Sequence, residues 1–471
     1  MFMMYHSEDD SDSDEDNSSL ESWEHFDRDL PRARNNDPNV YNLNARGNYH
    51  TIMNMTDDDW EDIGRDISNN THLEILCLSG SLNDRTALFF FRGLTGSRSI
   101  AHFDLKDNEF SSAVVRAMDQ FLQNAPELEQ LELEGNNIGS EGFNLLMRSL
   151  HDNPIVVLEC SCCGITSSIE IEKVPTNLQE LNLTDNNIQS EGFNLLLRSL
   201  PGIKDLHCNY CGIDSFSIDR DSFPRELFAL GLSGNNITAD GCRQLSFLLQ
   251  REDSELQYME LINNKIDDEG VAVLVNALRV NESLGTLLLR DNNGISRNGQ
   301  IMLLKLVADL SSIEATLDSN HFLEEIDLDD IDPEVTKYID QITRMNRGNY
   351  SRTRNYYEKV IKTQLDSKIR TELARLQGVE HSLYSEINPL HLPEVLSLVG
   401  CRFESGELFV ALKSSIADVI STVNRKLCVQ QRRAYHAAMV KELDAELAEI
   451  EAAERGEDDG NDIRGRKRQR S

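Results

Sequence analysis

The phrase NNIGSEGFNLLMRSL at 136–150 returns as NNIQSEGFNLLLRSL at 186–200. Around it, nine stretches spell Leu-x-x-Leu-x-Leu-x-x-Asn or a close variant, with first consensus positions at Leu73, Ile100, Leu128, Ile155, Leu178, Ile203, Leu227, Leu256 and Leu284. The steps between them are 27, 28, 27, 23, 25, 24, 29 and 28 residues. Self-similarity at such a period marks a solenoid, whose repeats bury their apolar faces only against one another. Burying a large apolar side chain contributes about 1.5–3 kcal/mol, while fixing each backbone residue costs about 1–2 kcal/mol. One repeat cannot fold alone; a stack can.

Within a repeat, Leu128, Leu131 and Leu133 read as the inward residues of a short strand and its turn. Asn136 can turn its amide inward to pair backbone groups left open where the strand ends, worth about 1 kcal/mol. Glu141 to Leu150 suits a helix, with Ser140 as N-cap and Phe143, Leu146 and Leu150 facing in. The expected fold is α/β: a right-handed leucine-rich-repeat solenoid, or horseshoe, with a parallel concave sheet. Its curvature follows because a helix is about 10 Å wide and strands lie about 4.8 Å apart. The repeats starting at Ile155 and Ile203 are short, carry Pro175 and Pro224 near their ends, and alternate at Ile169/Ile171 and Phe216/Ile218. An extended or turn-rich outer segment is expected there, relaxing the curvature locally. A degenerate tenth turn runs through Leu317 and Asn320, and Leu323–Ile326–Leu328 begins the closing element.

The solenoid is assigned to residues 51–333, with an N-terminal cap helix. Thr56 reads as its N-cap, Asp57, Asp58 and Asp59 sit at the positive end of the dipole, and Trp60, Ile63 and Ile67 form one stripe. Such a cover shields the open end of a stack from water. Residues 1–50 are poor in aliphatic side chains and rich in Asp, Glu, Ser and Asn, the composition of a disordered acidic arm. Residues 334–456 favour helices. Their stripes, Ile416/Ile420/Val423/Leu427 and Val440/Leu443/Leu447/Ile450, are too short for a coiled coil and suit packing onto the last repeats. Residues 457–471 form a disordered acidic and basic tail, in which Arg464, Arg466, Lys467, Arg468 and Arg470 resemble a nuclear-import signal.

Lysine and arginine number 46 against 81 aspartates and glutamates, a formal charge of −35. That balance disfavours nucleic acid and anionic membrane and favours a basic protein partner. The start lacks a signal-peptide apolar core, and no run reaches the roughly 18–20 apolar residues of a membrane span. Nine cysteines, an odd number clustered in the repeats, fit a reducing cytoplasmic or nuclear compartment.

Cys160-x-x-Cys163 and Cys208-x-x-Cys211 have zinc-like spacing. Register argues against a shared metal. Cys160 and Cys208 hold the last consensus Leu position, Cys163 and Cys211 the Asn position, and the repeat at Leu178 lies between. Two strand spacings make about 10 Å, too wide for thiolates about 2.3 Å from one zinc. Core cysteines are expected. No phosphate loop, H-E-x-x-H, G-x-S-x-G or G-x-G-x-x-G appears, so neither enzyme nor cofactor is expected. His102 and His207 lie at outward strand positions and read as solvated histidines. Alternation along each strand points Asp104, Gln130, Glu132, Glu159, Glu180, Asn182, Asp205, His207, Tyr258 and Glu260 into the hollow. Six of these ten are acids, and carboxylates lining a concavity steer a cationic partner.

The unit NNIxSEGFNLLxRSL after L-x-x-L-x-L resembles the long repeat of the ribonuclease-inhibitor-like leucine-rich-repeat family, over residues 70–333. That resemblance implies a horseshoe that binds proteins without catalysis. The two short repeats and the helical C-terminal region depart from it. A different function comes from relatives that activate the small GTPase Ran through Asn and Arg residues on one edge of the horseshoe. Asn137, Asn187, Asn236 and Asn293 stand at the matching place here, where Asn-Asn also serves plain turn chemistry.

Overall fold

The computed structural model describes residues 26–45, 55–216, 223–311, 315–316, 318–347, 363 and 367–378. The chain divides into two units: Met1–Val307 with Asn320–Arg344, and Ala308–Ser319 with Met345–Ser471. In the first unit the elements in chain order are α1 (26–34), β1 (Asn42–Asn44), α2 (Asp57–Ser68), β2 (Ile75–Cys77), α3 (Asp84–Gly93), β3 (His102–Asp104), α4 (Ser112–Gln123), β4 (Gln130–Glu132), α5 (Gly139–Ser149), β5 (Val157–Glu159), β6 (Glu180–Asn182), α6 (Gln189–Ser199), β7 (Asp205–His207), β8 (Ala229–Gly231), α7 (Ala239–Leu249), β9 (Tyr258–Glu260), α8 (Asp268–Leu278), β10 (Thr286–Leu288), α9 (Arg297–Val307), β11 (Glu325–Asp327) and α10 (Pro333–Thr343). The strands form one 11-stranded sheet whose spatial order is the chain order, with every neighbouring pair parallel. This is the leucine-rich-repeat solenoid the spacing predicts.

The consensus leucines form the core. Leu128, Leu131, Leu133, Leu181, Leu206, Leu230 and Leu287 are all essentially inaccessible. Asparagines tie the turns together. Asn136 donates from Nδ2 to the carbonyls of Leu105 (3.0 Å) and Leu133 (2.7 Å), while its Oδ1 accepts from the amide of Phe110 (2.9 Å). Asn186, Asn235, Asn264 and Asn292 repeat the pattern. At the two cysteine positions a thiol substitutes, Cys163 Sγ donating to Leu133 O and Cys211 Sγ to Leu183 O, each at 3.1 Å. The neighbouring Cys163 thiol and burial push the Cys160 thiol well up, and burial with Cys211 does the same for Cys208. Cys163 and Cys211 act as donors in the core.

A second ladder precedes the strands. Asn70, Asn153, Asn281 and Asn320 each donate to carbonyls of the preceding turn, at Ala33, Leu122, Leu249 and Leu278, and accept from amides at the start of their own repeat. Asn320 thus differs from the tenth turn expected of it. It closes the loop before Leu323, the first inward residue of the repeat that carries β11.

The N-terminal end needs correcting. Residues 26–45, expected within a disordered arm reaching residue 50, form α1 and β1, and β1 pairs with β2. Val40, Leu43 and Ala45 occupy the three inward positions and are buried with Phe26, Leu30 and Ala33. The solenoid therefore begins ahead of residue 51. The stretch at 26–34 covers the first turn, tied by Asn70 Nδ2 to Ala33 O at 2.7 Å. The helix expected to cap the stack is α2, which forms with a Thr56–Asp59 capping box. It lies between β1 and β2 as an ordinary repeat helix packed on α3. The packing is close because Gly64 and Gly93 face one another; a Cβ on Gly93 would sit 2.0 Å from the Glu61 carbonyl oxygen. Residues 1–25 and the tail lie outside the described residues.

Residues 160–177 and the described part of 208–226 contain no helix, as the prolines and alternation predict. Ser140 does not cap α5, whose N-cap is Ile138 without a side-chain bond. Its hydroxyl reaches Thr166 Oγ1 at 2.9 Å and accepts from the Thr166 amide at 2.9 Å, stitching the helix to the extended segment. In the C-terminal region, α10 has Asp332 as N-cap and buries Val335, Ile339 and Ile342. In the second unit, α11 (Ser367–Gln377) ends at Gln377, whose side chain bonds Ala308 O (2.5 Å) and the Leu310 amide (3.0 Å).

Candidate protein-binding surface

Each strand turns its central residue into the core, so its first and third residues line the sheet face opposite the helices. Register aligns these in two rows. One runs through His102, Gln130, Val157, Glu180, Asp205, Ala229 and Tyr258; the other through Asp104, Glu132, Glu159, Asn182, His207, Gly231 and Glu260. The ten residues expected in the hollow therefore do share one face.

They are not equivalent electrostatically. Glu132 is only 7% exposed and is held from three sides: His102 Nε2 at 2.7 Å, Lys106 Nζ at 2.5 Å and Gln130 Nε2 at 2.6 Å. Burial raises its carboxyl, but the bonds from His102 and Lys106 and the lysine charge outweigh that and bring it down to about 2. Asp104 accepts from Ser79 Oγ (2.5 Å) and Cys77 Sγ (3.1 Å). At this end of the face Glu132 is matched by Lys106 from within, and Asp104 is held by neutral donors. His102, expected as a solvated histidine, is a partner of Glu132.

On the next three strands no described cation forms an ion pair with the acids, although the charges of Lys106 on Glu159 and of His207 and Lys204 on Asp205 act from further off. Burial raises the carboxyls of Glu159, Glu180 and Asp205, and Glu180 and Asp205 face each other across β6 and β7. The Asp205 Oδ1 atom is buried with no hydrogen-bond partner. Beyond them β8 offers only Ala229 and Gly231. Their small size leaves room for His207 and Asn209 to lean over; a Cβ at Gly231 would lie 2.7 Å from His207 Nδ1. Asn209 Nδ2 crosses that strand to Glu260 Oε2 at 3.3 Å. Burial, followed by the charges of Glu260, Glu325 and Asp327, pushes the Tyr258 hydroxyl up to about 12. The face thus carries unmatched carboxylates in its middle, then a low step, then a half-buried tyrosine.

Sequence reasoning missed Lys106, Asn209 and Gly231. Lys106 follows the strand-end residue Leu105 rather than occupying a strand position, and alternation does not reach it. The backbone amides of Asn137, Asn187 and Asn236 donate to carbonyls of the preceding turn, at Phe110, Ile165 and Ile213. No group of three or more His, Cys, Asp or Glu side chains able to hold a metal occurs among the described residues, and no described helix is long and apolar enough to cross a membrane.

A leucine-rich-repeat family model matches residues 126–143 and 174–193. Comparison with curated protein sequences finds no match. Among solved structures, the chain is similar to the yeast Rad7 and Elc1 complex (16% identity, 66% of this chain and 87% of that one, TM-score 0.36). It is also similar to an internalin, inlF, from Listeria monocytogenes (16% identity, 64% and 93%, TM-score 0.33). The leiomodin-1 actin-binding site 2 aligns over 27% of this chain and 74% of its own, at 20% identity and a TM-score of 0.24. These alignments are too loose to carry function. What the chain has is a leucine-rich-repeat scaffold fold, the kind that presents a sheet face to other proteins.

Proposed function

We propose that this protein is a non-enzymatic interaction scaffold of ribonuclease-inhibitor-like type, and that the open face of its sheet binds a basic protein. The observation that carries the reading is the run Glu159, Glu180 and Asp205, three adjacent carboxylates raised by burial with no cation bonded to them. An arginine or lysine from a partner would supply the missing charge, and binding would be salt-sensitive.

The test is a photo-crosslinker at Tyr258 in the full chain, with a second at Leu88 on α3 as control. Position 258 should capture a basic protein, and Glu159→Lys, Glu180→Lys and Asp205→Lys together should abolish capture. Capture that survives the triple reversal, or that is equal from Leu88, places the site elsewhere. Acceleration of GTP hydrolysis by Ran would favour the activator reading instead.

A further inference from the structure

We propose that the flank of α6 beside the helix-less repeat 155–177 is a docking groove for an amphipathic helix of a protein partner, one presenting an arginine to Glu191 and, a turn further on, a carboxylate to Ser199 and Arg198. This surface lies on the opposite side of the sheet from the carboxylate face and stands independently of it.

The protein contains its own template. Helices α5 and α6 carry the same phrase, SEGFNLLxRSL. In α5 that phrase faces α4: Arg116 Nη2 meets Glu141 Oε1 at 2.5 Å, and Ser149 Oγ donates to Asp119 Oδ1 at 2.5 Å. Arg116 and Asp119 are three residues apart, on one side of α4. Directly packed helices elsewhere are tied likewise. Arg85 bonds Asp57 across α2 and α3, Arg243 bonds Glu269 across α7 and α8, and Arg297 bonds the α10 cap Asp332.

Helix α6 offers the same groups to nothing. Glu191, Leu195 and Ser199 repeat Glu141, Leu145 and Ser149, but the preceding turn supplies no helix. Glu191 and Arg198 are exposed, and among the described residues neither they nor Ser199 has a polar partner. The core beneath is already sealed. Ile169 does for α6 what Val115 does for α5: a Cβ on Gly192 would lie 3.3 Å from Ile169 Cδ1, and one on Gly142 3.4 Å from Val115 Cγ2. Above Ile169 remains a groove of about 480 Å³, bordered by Ser167, Glu191, Leu195 and Arg198. Where the neighbouring repeats carry a helix about 10 Å across, this one carries only the extended segment 160–177. A guest helix reproducing the Arg-x-x-Asp of α4 would meet an acid, an apolar strip and a donor in the order in which α4 already meets them on α5.

The full chain should bind a short, stapled, fluorescein-labelled helix with Arg-Ala-Leu-Asp at its centre, read by anisotropy. Glu191→Arg should weaken that binding about fivefold to tenfold, the scale of an exposed ion pair turned to repulsion. A peptide with Glu in place of its Arg should restore the loss on the variant. Glu141→Arg, at the equivalent but already covered position, should change nothing. Equal loss from Glu141→Arg, or failure of the swapped peptide to rescue, overturns the proposal. So does absence of saturable binding, whether the groove is unsuited or filled by the chain itself.

Discussion

Replacing Glu132 by glutamine keeps its shape and removes its charge. The carboxyl falls from 4.5 to about 2 in the folded chain, a difference worth about 3 kcal/mol. His102 and Lys106 are 31% and 29% exposed, and solvent screening brings the figure to about 2 kcal/mol. The sign follows from the direction of the shift. A carboxyl whose folded pKa lies below its unfolded one stabilises fully above the unfolded value and loses that contribution as pH falls through the folded one. Urea unfolding of parent and Glu132→Gln, followed by far-UV circular dichroism, should therefore differ by about 2 kcal/mol at pH 7. The gap should begin to close near pH 4.5 and vanish towards pH 2. Glu159, Glu180 and Asp205 act in the opposite sense. Raised by burial, their charged forms cost stability at neutral pH, and that cost is relieved as pH falls through their folded values. Glu180 and Asp205 are common to both proteins and cancel in the difference, whereas the Glu132 charge helps to raise Glu159, so its removal also relaxes that carboxyl slightly. A gap that is constant between pH 7 and pH 3, or a variant as stable as its parent, refutes the claim that His102 and Lys106 stabilise the charge of Glu132.

Two further outcomes test the stack itself. Asn136→Leu strands the Phe110 amide and the Leu105 and Leu133 carbonyls and should cost about 2–4 kcal/mol in the same unfolding assay; a loss under about 1 kcal/mol would mean water replaces the amide. Gly93→Ala drives a methyl into the Glu61 carbonyl and should cost about 3 kcal/mol or more, seen as a lowered Tm and weaker near-UV signal from Trp60; an unchanged Tm would mean α2 and α3 shift apart freely.

The repeat architecture was legible because one inward residue type recurs at fixed offsets, and so were the helix-less repeats, through Pro175 and Pro224. The first turn was not. Val40, Leu43 and Ala45 satisfy the inward pattern, but with a valine and an alanine at its ends, in a stretch whose composition reads as disordered. Membership of the open face followed from alternation alone. Its electrostatics did not, since Lys106 reaches Glu132 across one strand and His102 reaches it sideways, pairings that spacing within one repeat cannot encode. The asparagines at 70, 153, 281 and 320 escaped notice because repeats such as that at Leu128 use other residues there.

The turns on both sides of helix α6 show no helix among their described residues, and they are the ones where a thiol stands in the asparagine ladder. Where an asparagine makes two inter-turn bonds, donating to one carbonyl and accepting from one amide, each thiol keeps only the donated one. In a linear array stability is roughly a sum of repeat and nearest-neighbour interface contributions, so an interface with fewer bonds opens more readily than its neighbours. Local opening should therefore cost least around α6, and amide hydrogen exchange should be faster there than in α5.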